Sequence, residues 1–159
     1  MKIFAILTLA LLPIFCGCSQ TAEQPAEFAD FFPQKIAGVE FRARIALTER
    51  EKAQGLMNVK ELGGRDGMIF AGDFPHQASF WMRNTLVPLD IAFIGADGKI
   101  LEIKQMYPLD ETPVRSASAE VVHCLEMPQG FFAKNSIKTG DFLDMKLFGE
   151  SLKKRRGGK

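Results

Sequence analysis

Apolar and polar residues alternate with period two over residues 39–46. Val39, Phe41, Ala43 and Ile45 fall on one side and Glu40, Arg42 and Arg44 on the other, the signature of a half-buried strand. Thr48 stands three residues before Glu51, a capping box that opens a short helix carrying Ala53, Leu56 and Met57. Further strand-like runs cover 67–70, 78–83, 89–95, 99–106, 121–126 and 142–148. Asp97-Gly98 between two of them is a hairpin signal, and Thr139-Gly140-Asp141 reads as the turn into the last strand. A second short helix is predicted over 130–135. The expected fold is mainly β, all-β or β-rich α+β: a small antiparallel sandwich or partly closed barrel of about seven strands with two short helices.

Residues outside that pattern divide the chain. Lys2 precedes an apolar run from Ile3 to Phe15, broken by Thr8 and Pro13, too short to cross a bilayer core of about 30 Å as a helix. It has the form of an export signal. The closing Phe15-Cys16-Gly17-Cys18 resembles a bacterial lipoprotein signal, which implies lipidation of Cys18; processing before Cys16 and secretion without lipid are the alternatives. The expected organisation is a signal over 1–17, a lipidated N-terminus and tether over 18–34, one β domain over 35–149 and a solvated, disordered basic tail over 150–159. Contact of that tail with anionic lipid headgroups is the alternative. Residues 107–120 lack any period and read as a long surface loop.

Composition narrows the function. With 20 basic against 19 acidic side chains the chain has no concentrated basic character, so nucleic acid is not an expected partner. Once a signal ending before Cys18 is removed, Cys124 is the one remaining cysteine besides the lipidated residue, and no intramolecular disulfide can form. Nucleotide-binding glycine loops, serine-hydrolase elbows and zinc-protease motifs are absent. His123 and Cys124 are neighbours in a strand and face opposite ways, so they form no Cys–His site, and Cys124 reads as packing. The scattered methionines are expected in the core; a copper site is the competing reading. No cofactor or metal is expected.

The chemistry concentrates between Phe74 and Asp90, in FPHQASFWMRNTLVPLD, which holds the single Trp. If 80–83 is a strand, Phe80 and Met82 face one side while Trp81 and Arg83 share the other, where an aromatic and a guanidinium can stack or clasp a planar or anionic ligand. Asn84, Thr85 and Asp90 bracket a turn set by Pro88 and complete the candidate site: Trp81, Arg83, Asn84, Thr85 and Asp90. A purely structural role is the alternative, since Asn and Asp commonly satisfy turn backbone.

Gly55 to Met57, Gly67 to Phe70, FWMRNTLVPLDIAFI from Phe80, DGKILEI from Asp97 and LEMPQGFFAKNSIKTGD from Leu125 closely resemble the successive signature blocks of the domain of unknown function 192 family. The resemblance implies a compact, mostly β domain, often exported or membrane-attached, with no established reaction. Many members carry Lys where this chain has Arg83, which keeps a positive charge beside Trp81. Three functions follow as expectations. The first is a non-catalytic module at the cell envelope, facing the periplasm and held to the membrane by its lipid, that binds a small polar or anionic molecule or glycan. The second is a hydrolase-like enzyme pairing Asp90 with Glu126 or Asp110, and the third is a structural or interaction protein without a ligand.

Overall fold

The computed structural model describes residues 27–157. Among these are eight strands and three helices, in the order β1 (Phe32–Ile36), β2 (Val39–Ala46), α1 (Glu49–Gln54), β3 (Asp66–His76), β4 (Ser79–Phe80), β5 (Leu89–Ile94), β6 (Ile100–Met106), β7 (Val114–Arg115), β8 (Val121–Pro128), α2 (Phe131–Lys134) and α3 (Met145–Arg155). Six strands form one sheet, β1-β2-β3-β8-β5-β6, and β4 pairs with β7 in a small second one.

The mainly β expectation holds, with corrections. The sheet is mixed, because α1 carries the chain across from β2 to a parallel β3. Nor is it closed into a barrel. Its edges are β1 and β6, and residues 142–143 staple them through isolated bridges, Ile36 to Leu143 and Lys99 to Phe142. That staple is all that remains of the strand predicted over 142–148. Asp144 instead caps a helix, its carboxylate accepting from the Lys146 and Leu147 N–H groups at 3.1 and 3.0 Å.

Helix α3 also replaces most of the tail predicted over 150–159. Phe148 and Ser151 are buried at helical spacing, and Arg155, in the last turn, pairs with Glu51. The three basic residues Lys153, Lys154 and Arg155 lie at the helix C-terminus, where the macrodipole favours cations.

At the other end the segment read as a tether contains the start of β1. Pro33 suits this edge strand, whose turn to β2 is the two-residue Ala37-Gly38, both at positive φ (48° and 82°). The capping box forms as expected: Glu51 N–H donates to the Thr48 hydroxyl at 3.2 Å, and the Glu51 carboxylate accepts from the Thr48 and Leu47 N–H groups. The Asp97-Gly98 turn likewise joins β5 to β6. Gly98 is at φ +87°, and a Cβ there would meet the Leu143 carbonyl at 2.8 Å, so the glycine also admits the edge staple.

The central strands β5 and β8 are buried on both faces, which is why they read as continuous apolar runs. One face packs Phe41, Ile45, Ile69, Leu125 and Met127 under Phe131, Phe132 and Phe148 from α2 and α3. The other packs Met68, Phe70, Ile91, Phe93 and Cys124 under Leu56, Phe80 and Met82. Met68, Met82, Met106 and Met127 are core residues. No described helix is long and apolar enough to cross a membrane. Cys18 and the signal lie outside the described residues.

Candidate functional site

The FWMRNT segment leaves β4 and turns sharply. Thr85 N–H donates to the Met82 carbonyl at 3.0 Å, closing a four-residue turn, and Asn84 occupies its left-handed position at φ +55°. Asn suits that position because it tolerates left-handed backbone better than a branched residue does. Thr85 is buried beneath the turn, its hydroxyl donating to the Arg83 carbonyl at 3.4 Å.

Backbone bonds from two other segments hold this turn. Met82 N–H donates to the Asp110 carbonyl (2.8 Å), Leu109 N–H to the Thr85 carbonyl (3.1 Å) and Asn58 N–H to the Asn84 carbonyl (2.8 Å). The aperiodic stretch 107–120 is therefore organised: it contributes β7, and the Ala78 N–H donates to the buried Ser116 hydroxyl at 3.0 Å.

Alternation through this segment is as the sequence implied. Phe80 points inward, its ring 4.9 Å edge-on from Phe70, and Met82 is fully buried. Trp81 and Arg83 point out. Trp81 is 46% exposed, and the Arg83 guanidinium stands over its ring at 5.5 Å from the centroid.

Trp81 borders a cavity of about 350 Å³, with Phe70, Phe80 and Val122 forming apolar wall and Lys52, His76 and Ser79 supplying polar groups. Sequence reasoning did not find these residues, because α1, β3, β4 and β8 supply them separately. One signal was available in Gly72, a glycine inside a strand. A Cβ there would meet the Val122 carbonyl at 2.2 Å, and the register between β3 and β8 breaks just beyond, between Ala71 and His76, where β3 rises past the cavity.

Asp90 is placed elsewhere. It lies on β5 opposite Met127, turned toward the α2 face, and does not line the Trp81 cavity. Its Oδ2 accepts from the Gly130 N–H at 2.8 Å and its buried Oδ1 has no hydrogen-bond partner among the described residues. Burial raises its pKa, opposed by that N–H. Glu126 is paired with Ile91 on the opposite face, near Cys124; burial alone pushes its carboxyl up to about 8. Asp110 is an exposed loop residue whose carboxylate accepts from the Thr112 N–H at 2.9 Å, which lowers its pKa. Asp90 and Glu126 therefore cannot flank one substrate.

His123 is buried on the α3 side, its Nδ1 accepting from the Gly72 N–H at 3.3 Å and its ring edge-on to Phe148 at 5.0 Å; desolvation drives its pKa down to about 4. Burial, with Glu126 adding to it, pushes the Cys124 thiol far above its ordinary range, so Cys124 is not an activated nucleophile. Among the described residues no cluster of three or more His, Cys, Asp or Glu is arranged to hold a metal.

An open, mixed-sheet β domain with stapled edges and a cavity bordered by Trp81, over whose ring Arg83 stands, is thus the class of molecule defined here. Residues 32–145 match the family model of DUF192, described as Uncharacterized ACR, and the chain belongs to that family. Among solved structures it is similar to a protein of unknown function from Novosphingobium aromaticivorans DSM 12444, with 40% identity, a TM-score of 0.68, and coverage of 72% of this chain and 84% of that one. It is also similar to a protein of Sinorhizobium meliloti 1021 described as a proposed transcription regulator, with 28% identity, a TM-score of 0.66, and coverage of 70% and 89%. No curated protein matches the chain.

Proposed function

We propose that this protein is a non-catalytic binding module of the bacterial envelope, anchored through a lipid on Cys18 and facing the periplasm. Its site takes a small planar or cyclic molecule bearing an anionic or polar group. The observation that carries this reading is the half-exposed Trp81 with Arg83 over its ring at the border of the cavity. A large aromatic kept in water beside a guanidinium offers a stacking face and a charge at once. The cavity falls within the volume range of small-molecule sites, about 300–1,000 Å³.

Each charge at the site has a job in this reading. Arg83 above Trp81 favours an anionic substituent, joined by Lys52, whose ammonium also meets Glu49 at 3.2 Å, while Phe70 and Phe80 take the apolar edge of the ligand. Asn84 and Thr85 shape the turn that presents Trp81 and do not themselves contact the ligand. Saturation-transfer NMR with aromatic carboxylates and acidic sugars tests the reading. Wild-type protein should show transfer to at least one class, and Trp81→Ala and Arg83→Ala should lose it while melting as the wild type does. Equal transfer in both variants would refute it.

A further inference from the structure

On the other side of the molecule, β1, β2, the turn before β3 and the first turn of α3 enclose a groove of about 600 Å³. Gln34 lines it from β1 and is only 1% exposed, yet neither its Oε1 nor its Nε2 has a hydrogen-bond partner among the described residues. A side-chain amide carries one strong acceptor and two donors, and leaving all of them empty in a desolvated site costs stability with no return. Gln34 sits in register with Phe41, a core residue, where an apolar side chain would have packed without that cost.

The groove's rim carries charge that is only partly used. Arg42 is held by Asp66 through two bonds of 2.9 Å, and Lys35 meets Glu40 at 3.2 Å. Arg65 spends one N–H on the Glu40 carbonyl at 2.8 Å and has no carboxylate partner among the described residues. A guanidinium has five N–H donors, so four remain beyond that bond on this exposed side chain.

We infer that this groove is a second binding site, for a ligand that carries an amide and a carboxylate a few bonds apart, the chemistry of an N-acylated amino acid or a peptide C-terminus. The ligand's carbonyl accepts from Gln34 Nε2, its N–H donates to Gln34 Oε1, and its carboxylate meets Arg65 at the rim. Phe41 and Leu147 take the side chain next to the amide. Only a group with both donor and acceptor satisfies Gln34, which is why a bare anion does not suffice.

The test uses the full chain labelled with nitrogen-15 and titrated with N-acetyl-L-alanine, with acetate and N-methylacetamide as the carboxylate-only and amide-only controls. The Gln34 side-chain NH₂ signals should shift saturably with N-acetyl-L-alanine and far less with either control. Arg65→Ala, an exposed change, should weaken binding by about tenfold or more. Gln34→Leu should abolish binding while melting no lower than wild type; if that variant fails to fold, Arg65→Ala carries the test. A six-residue peptide ending in alanine separates the sources. Tighter binding than N-acetyl-L-alanine assigns a chain terminus, and equal or weaker binding assigns a free acylamino acid. Gln34 signals that stay fixed with every probe, or an Arg65→Ala protein that binds like wild type, would overturn the inference. Trp81 emission should not respond to these probes, which keeps this test separate from that of the Trp81 cavity.

Discussion

Asp90 and Glu126 lie one register step apart on adjacent strands and face opposite sides of the sheet, since Asp90 pairs with Met127 and Glu126 with Ile91. Each is a buried carboxyl raised by desolvation, and neither can relay a proton to the other through a common substrate. The relationship removes the arrangement a two-carboxylate hydrolase would need and leaves two separate stability effects in its place.

Glu126 makes stability depend on pH in a defined direction. Its carboxyl holds a proton in the folded state up to about pH 8, against an ordinary 4.5, so the unfolded chain releases that proton first and stability falls as pH rises through this window. His123 acts oppositely: its folded value near 4 lies below the ordinary 6.5, so stability falls as pH drops through that interval. The two slopes oppose each other between 4.5 and 6.5, and of the two only Glu126 acts between 6.5 and 8. Urea unfolding across pH 6.5 to 8 should show a loss approaching about 1.4 kcal/mol per pH unit. Glu126→Gln should flatten that limb.

Asn84 is predicted to matter for its backbone. At φ +55° it accepts replacement by glycine, so Asn84→Gly should leave stability within about 0.5 kcal/mol and leave ligand binding intact. Asn84→Val should cost about 1–2 kcal/mol by denaturant unfolding, the left-handed penalty for an L-residue. Equal effects of the two changes would contradict the turn account.

Arg155 ties the end of α3 to Glu51, the residue that completes the capping box of α1. Both side chains are largely shielded from solvent. Arg155→Ala should therefore destabilise by about 1–3 kcal/mol, where an exposed tail residue would give no measurable change. Thermal or denaturant unfolding of the single variant decides between them.

Membrane attachment is predicted to depend on one thiol. Cys18→Ser should move the protein from the membrane fraction to the soluble envelope fraction, with the β domain still folded. A variant that remains with membranes would place the anchor elsewhere.

Much of the fold was legible because local signals were strong: the 39–46 alternation, the Thr48–Glu51 capping box and the Asp97-Gly98 hairpin all appear where expected. What was missed has physical causes. Strand β1 hid behind Pro33 and a turn made by Ala37, which seldom takes a left-handed conformation. Residues 142–148 alternate like a strand, but Asp144 caps a helix whose buried positions, Phe148 and Ser151, show a helical spacing only when residues beyond 148 are counted. The candidate site divided for a similar reason. Trp81 and Arg83 are two apart in one segment and stayed together, whereas Asp90 depends on which face of β5 meets α2, a matter of sheet register that local spacing does not encode. The cavity itself draws on four elements and left only Gly72 as a trace.

Trp81 is the chain's single tryptophan, so its fluorescence reports on the proposed cavity alone. The decisive measurement is its emission maximum and acrylamide quenching in the full chain, alone and during titration with an aromatic carboxylate or acidic sugar that shows saturation transfer. The account predicts red-shifted, readily quenched emission that becomes protected saturably as ligand binds, with the response lost in Arg83→Ala. Blue-shifted emission, shielded from acrylamide and indifferent to every such compound, would contradict it.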